Sequence, residues 1–235
     1  MRYSICYTPS ARDPLSLAAA SWLGRNVYSD EPVEHPGLAG LGLHEIAFHT
    51  ALPRRNGFHG CLKAPFALHS EVSEAQLLRE LMHFAGIVEP FTLPGLEVAK
   101  LGDFCGLTLT HPSNQLDRVA ALVVQNFDRF RAPLSDAEIE RMAPERLSAP
   151  QFANLYRWGD PHVLDEYRFY MPLTGPLPLS HRDRLHQAAA HYFAPLLQNP
   201  VVFANLALFI EREPGAPLVV HSLHPMGRVS ARKIA

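Results

Sequence analysis

A chain of 235 residues, 47% of them hydrophobic, can bury a sizeable core as one large domain or as two small lobes. Its 21 Lys and Arg nearly balance 23 Asp and Glu, leaving a formal net charge of −2, so no global field favours nucleic acid or an anionic membrane, and only a local basic cleft stays open. Three widely spaced cysteines, Cys6, Cys61 and Cys105, fit neither a paired disulfide framework nor a CxxC metal knuckle, which points to a reducing compartment.

The start, MRYSICYTPSARDP, has no cationic head followed by an apolar run, and nowhere do about eighteen apolar residues follow one another. A soluble, cytoplasmic protein is expected. Tyr3 to Tyr7 alternates as a strand, and Asp13-Pro14 predicts a helix N-terminus leading into the Ala-rich stretch to Leu23. Asn26 to Leu52 is rich in Gly and Pro with weak periodicity and reads partly as loop. Alternation returns from Phe58 to Leu68, with Pro65 predicting a kink or an edge. A helix capped by Ser73 runs to Ala85 and closes at Gly86, and strands follow at Gly95–Lys100 and Cys105–Thr110.

Two helical segments come next, Leu116–Phe130 and Asp136–Tyr156, the second interrupted at Pro144 and Pro150. The second, within 135–158, reads as an inserted helical hairpin or lid. Tyr167–Leu179 then predicts a strand, His181–Phe193 a helix stopped by Pro195, and Val201–Ile210 and Pro217–Leu223 two more strands.

Strand, helix, strand, strand is thus written twice, and FHGCLKAPFAL at Phe58–Leu68 aligns with FYMPLTGPLPL at Phe169–Leu179. One α+β domain over 1–235 is expected, with two pseudo-symmetric lobes (around 58–110 and 166–224) whose antiparallel sheets face a central cleft, helices outside. Along the first strand His59, Cys61 and Lys63 share one face and Phe58, Gly60 and Leu62 the other. Along the second, Arg168, Tyr170, Pro172 and Thr174 oppose the apolar Phe169, Met171 and Leu173. If those faces meet, the cleft offers an imidazole, a thiol, an ammonium, a guanidinium, a phenol and a hydroxyl, a set suited to an anionic ligand.

With RYSICYTP, GFHGCLKAPF, FDRFRAPLS and YRFYMPLTGPL in this order, the chain resembles the 2H phosphoesterase superfamily over nearly its whole length, in the branch associated with phosphonate operons. The resemblance implies a bilobal α+β fold with one His-x-Thr/Ser pair per lobe. In active members the two histidines act as general base and acid and the two hydroxyls hold the phosphate, opening cyclic phosphates or related phosphodiesters without a metal. Carried over by position, His59 is intact, Cys61 stands for the first hydroxyl, Tyr170 for the second histidine and Pro172 for the second hydroxyl.

A phenol with an ordinary pKa of about 10 donates a proton but is scarcely a base at neutral pH, so His59 would be base and Tyr170 acid. A thiol donates weakly and Pro172 offers neither side-chain donor nor N–H, so reduced activity is expected. Cys61, Lys63, Arg168 and Thr174 are the expected substrate-binding residues. Lys63 and Arg168 read equally as solvated edge charges, Cys61 as a small filler and Tyr170 as an ordinary strand residue.

No cofactor or metal is expected: in HEIAFH the second histidine, His49, stands five residues after His44, one too many for the helical HExxH pattern. His181, His186 and His191 read as a solvated helix face, and GDPH at Gly159–His162 as turn chemistry. The expected function is a phosphoesterase-like reaction on a small cyclic phosphate or phosphodiester, phosphonate-related, and the expected partner is a small phosphorylated metabolite or nucleotide, with no membrane. The rival is a catalytically silent protein that binds an anionic metabolite; a nucleic-acid module is least favoured, for want of a basic run with interleaved aromatics.

Overall fold

The computed structural model describes residues 1–227. In chain order β1 (Arg2–Tyr7) leads to α1 (Pro14–Leu23), α2 (Leu43–His49) and α3 (Ala51–Asn56). Then come β2 (Gly60–Phe66), α4 (Glu74–Ile87), β3 (Phe91–Thr92), β4 (Leu96–Leu101) and β5 (Phe104–Leu109). Helices α5 (Asn114–Phe127), α6 (Asp136–Arg141) and α7 (Ala149–Trp158) precede β6 (Tyr170–Pro172), α8 (Leu179–Phe193), β7 (Val202–Phe203), β8 (Asn205–Glu211) and β9 (Val219–Pro225).

Local chemistry explains most boundaries. Asp13 accepts a hydrogen bond from Leu15 N, Pro14 opens α1, and Gly24 ends it in the left-handed conformation. Ser73 and Gln76 cap α4 reciprocally. That helix continues through Gly86 to Ile87, because nothing there demands a positive φ, so Gly86 is not its stop. Pro150 lies in the first turn of α7, where its missing N–H has no helical partner to lose, so it starts a helix instead of interrupting one. The same holds for Pro53 in α3. Helix α2 lies within the stretch Asn26–Leu52 that reads partly as loop and α3 mostly just beyond it; both are under two turns, too short for periodicity to show.

The strands form a four-stranded sheet in the order β2-β1-β8-β9, a three-stranded sheet β4-β5-β6 and a small pair β3-β7. Every pairing is antiparallel. The fold is therefore α+β. Strand β2 is an edge, which accommodates Pro65. The order strand, helix, short strand, hairpin runs from β2 to β5 and again from β6 to β9. The two stretches exchange their hairpins: β4–β5 pairs with β6, while β8–β9 extends the sheet that holds β1 and β2. The helices are exchanged too, α4 packing on β9 and β8 and α8 on β4 and β5. The expected strand over Tyr167–Leu179 is only Tyr170–Pro172.

Among the described residues the larger of two buried clusters joins these layers, and the smaller gathers Cys6, Val27, Ala207, Phe209 and Leu218. Tyr7, Phe203 and Phe91 stack in succession at 4.6 and 5.0 Å between centroids, and Trp22 Nε1 donates to the carbonyl of Leu173 at 2.8 Å. At Gly60 a Cβ would overlap the Phe169 ring, so the absence of a side chain in β2 is what lets the residue before β6 pack directly over it.

Candidate active site

A cleft of about 310 Å³ lies where β2 approaches β6, and its lining includes His59, Cys61, Arg168, Tyr170 and Pro172. Two bulges in β2 decide which of its side chains arrive there. Cys6 pairs with Cys61 while its neighbour Ile5 pairs with Lys63, so β2 carries one extra residue, Leu62, at that point. Adjacent residues of β1 face opposite sides of the sheet, hence Cys61 and Lys63 do so as well. A second irregularity follows between the pairs Ile5–Lys63 and Tyr3–Phe66.

His59 is 8% exposed and stands at the start of β2, its ring tilted over Phe209 at 4.7 Å. Its Nδ1 lies 3.1 Å from the Gly57 carbonyl. A carbonyl only accepts, so Nδ1 carries the proton and Nε2 keeps its lone pair. Gly57 has φ 79° and a Cβ there would overlap Val27, so only glycine allows the turn that presents this carbonyl. Burial drives the imidazole pKa down to about 4, against the smaller upward pull of the Gly57 and Asn56 carbonyls. The ring is neutral at physiological pH.

Tyr170 is 41% exposed and rests against Phe104, the centroids 5.4 Å apart. Burial raises its pKa, assisted by the nearby Cys61 and Asp160, so the phenol keeps its proton. Cys61 lies 3.9 Å from Ser4 Oγ and opposite Cys6, whose thiol burial pushes up. Arg168 is anchored through Nη1, which donates to the carbonyls of Tyr167 and Asp165 at 2.6 and 3.1 Å. The rest of its guanidinium has no partner among the described residues. Pro172, paired with Gly106, presents no donor.

Two expected binding residues lie elsewhere. Lys63 is 3% exposed, with Nζ 3.5 Å from Asp128 and 5.5 Å from the Phe66 centroid. Burial lowers its pKa, and Asp128, which also binds Arg131 at 3.0 Å, counters it. The bulge turned this side chain away from the cleft. Thr174 is 2% exposed and its Oγ1 accepts from Cys105 N at 2.9 Å. Because β6 ends at Pro172, the alternation that was to carry Thr174 into the cleft has already stopped.

The cleft gains residues that sequence reasoning missed. Arg2, Arg55, Asp160, His162 and Glu211 all line it. Arg2 is ion-paired with Glu211, so the cations without a carboxylate partner among the described residues are Arg55 and Arg168. Arg2 and Cys6 share a face of β1 at even spacing, a signal readable once Cys6 is known to oppose Cys61. His162 belongs to the GDPH turn, where its N–H donates to Asp160 Oδ1 at 2.8 Å.

Fold and site together define an α+β protein of antiparallel sheets with a cleft lined by the imidazoles of His59 and His162, the phenols of Tyr167 and Tyr170, and the guanidinium groups of Arg2, Arg55 and Arg168. The chain belongs to the family described as "Protein of unknown function (DUF1045)", whose model matches residues 61–219. That span takes in Cys61 and Tyr170 and begins just after His59. The chain is 35% identical over 222 residues to a protein of Janthinobacterium sp. (strain Marseille) named ribose 1,5-bisphosphate phosphokinase PhnN, covering 93% of this chain and 49% of that one. It is 33% identical over 219 residues to the protein of the same name from Laribacter hongkongensis (strain HLHK9), covering 92% and 50%. The chain thus spans about half the length of these curated relatives. A solved chain described as "Crystal structure of phosphoesterase" overlays with a TM-score of 0.41 at 11% identity, covering 96% of this chain and 98% of that one. No helix among the described residues is long and apolar enough to cross a membrane.

Proposed function

We propose that the protein is a 2H phosphoesterase-like enzyme of the phosphonate-associated branch, that one lobe is built on the β2-β1-β8-β9 sheet and the other on β4-β5-β6, with the stretches 58–110 and 166–224 each contributing to both, and that the cleft where β2 approaches β6 opens a small cyclic phosphate or phosphodiester. The observation that supports this most is the state of His59: neutral, oriented by the Gly57 carbonyl, with Nε2 left as the lone-pair nitrogen in a cleft shared with Tyr170 and Arg168. His59 takes a proton from water, the resulting hydroxide forms the new P–O bond, the P–O bond to the leaving oxygen breaks, and that oxygen takes the phenolic proton of Tyr170. Proton exchange with solvent restores both groups. Arg168 and Arg55 balance the charge of the phosphate, and Cys61 lies on the wall where a stronger hydroxyl donor would serve better.

The relatives' names refer to ribose 1,5-bisphosphate, which supports a phosphorylated ribose as the class of ligand. A base with a pKa near 4 is weak, but a bound phosphate raises it, because an adjacent anion favours the imidazolium. The test is a panel of 2′,3′-cyclic nucleotides and ribose cyclic phosphates, with turnover compared between the wild type and His59→Ala. Loss of one positioned base lowers the rate about 10²–10⁴-fold. Turnover that survives in His59→Ala would refute the mechanism.

The second reading, a catalytically silent binding protein, rests on Pro172 and Cys61, which leave the cleft without either phosphate-holding hydroxyl. It predicts saturable, salt-sensitive binding of the same compounds with no turnover in the wild type.

A further inference from the structure

Outside the cleft, where α2 meets the start of α8, the side chains of Glu45, His49 and His181 converge. Their candidate ligand atoms all lie within 4.8 Å of one another. His49 Nε2 is 3.0 Å from His181 Nδ1, and that same Nδ1 is 3.8 Å from Glu45 Oε1. Glu45 and His49 are four residues apart, so α2 stacks them on one face. The pair that matters in HEIAFH is therefore Glu and the second His, not the two histidines, and the third member comes from the far end of the chain.

We propose that Glu45, His49 and His181 form a binding site for a divalent transition-metal ion of the zinc class, with a fourth position open to water. Two imidazoles and one carboxylate are a recurrent three-ligand set for zinc. Nitrogen ligands about 2.0–2.1 Å from a tetrahedral ion stand about 3.4 Å from each other, so the imidazole pair needs to separate by only a few tenths of an ångström. The scaffold is built to hold it. The His49 carbonyl accepts from Gly175 N at 2.7 Å, tying the end of α2 to the loop that follows β6. His49 is 5% exposed, whereas the Glu45 and His181 side chains are 23% and 37% exposed, so the ring at the base is fixed and the ion enters from solvent.

His49 Nδ1 is buried without a partner among the described residues, and it stays so whether Nε2 meets the neutral ring of His181 or an ion. What carries the site is the convergence of the three ligand atoms. Arg184 binds the Glu45 carboxylate as well; it orients that group and shares its charge, which weakens the site relative to one with a free carboxylate. The ion would join α2, and through it the loop after β6, to α8.

The test uses the full chain without an affinity tag, stripped with chelator and titrated with Zn²⁺ by calorimetry and with Co²⁺ by visible absorption. The expected result is one saturable equivalent, weakened at least about 100-fold in His181→Ala. His181 is partly exposed, so that variant keeps the fold, and Glu45→Gln, which preserves shape, weakens binding in the same direction. No saturable binding, or binding unchanged in His181→Ala, overturns the proposal. So does a Co²⁺ spectrum with thiolate charge-transfer bands, which would place the ion on cysteine.

Discussion

His59 joins stability to the chemistry proposed for the cleft. Its pKa falls from the ordinary 6.5 to about 4 on folding, so the unfolded chain takes up a proton that the folded chain refuses. Stability is therefore complete above about pH 6.5 and declines as pH drops toward 4, by on the order of 3 kcal/mol. Urea denaturation across that range is expected to show the decline in the wild type and much less of it in His59→Asn. Equal slopes would mean that His59 is not the group refusing the proton. At Tyr170 the raised pKa keeps the phenol protonated, so Tyr170→Phe should lower turnover about 10²–10⁴-fold while leaving ligand affinity within a few-fold. Steady-state kinetics on a substrate found in the cyclic-phosphate panel separate those two effects. His59, Cys61, Arg168 and Tyr170 line the cleft, and in the sequence it was alternation together with the doubled phrase and the family resemblance that pointed to them. Arg55 and His162 were not legible there, because each reaches the cleft from a turn or helix end, where no period says which way a side chain points.

Among the elements, β2 shows where alternation misleads. The reading that put Lys63 beside Cys61 assumed an unbroken pleat, and Leu62 is the extra residue that breaks it. Nothing marks Leu62 as an extra residue, since it is neither Gly nor Pro, and only the partner strand's register reveals it; the second irregularity falls between Lys63 and Phe66, where Pro65 predicts a kink. Gly60 was read simply as part of the apolar face, yet its missing side chain is what lets Phe169 close over β2. Gly60→Ala is expected to destabilise the protein by about 1–3 kcal/mol through overpacking against Phe169. Chemical denaturation measures it, and a variant as stable as the wild type would show that the β2–β6 approach is not tight. Lys63→Met, by contrast, should leave ligand affinity unchanged, because the ammonium faces Asp128 and not the cleft.

For the molecule as a whole, the expected order strand, helix, strand, strand occurs in both stretches with a short extra strand, β3 or β7, after the helix, and Asp13 and Ser73 cap helices as their positions suggest. What the doubled phrase did not announce is the exchange of hairpins and helices between the two stretches. That arrangement depends on which strands pair over long sequence separations, and alternation within one strand carries no information about its partner. Its consequence is that β2 and β6, each at one end of its own sheet, approach closely enough to share a cleft. The sequence dismissed the histidine pattern near Glu45 for the same reason: spacing along one helix does not reveal His181 arriving from another.

The central claim is that a phosphate sits against Nε2 of His59 in that cleft. Histidine ¹⁵N NMR, titrating the imidazole with and without a saturating ribose phosphate, tests it most directly. The account predicts a His59 pKa near 4 in the free protein that rises when the ligand binds, with the resonance of Nε2 moving more than that of Nδ1. Saturating ligand that leaves both nitrogens and the pKa of His59 unchanged would contradict it.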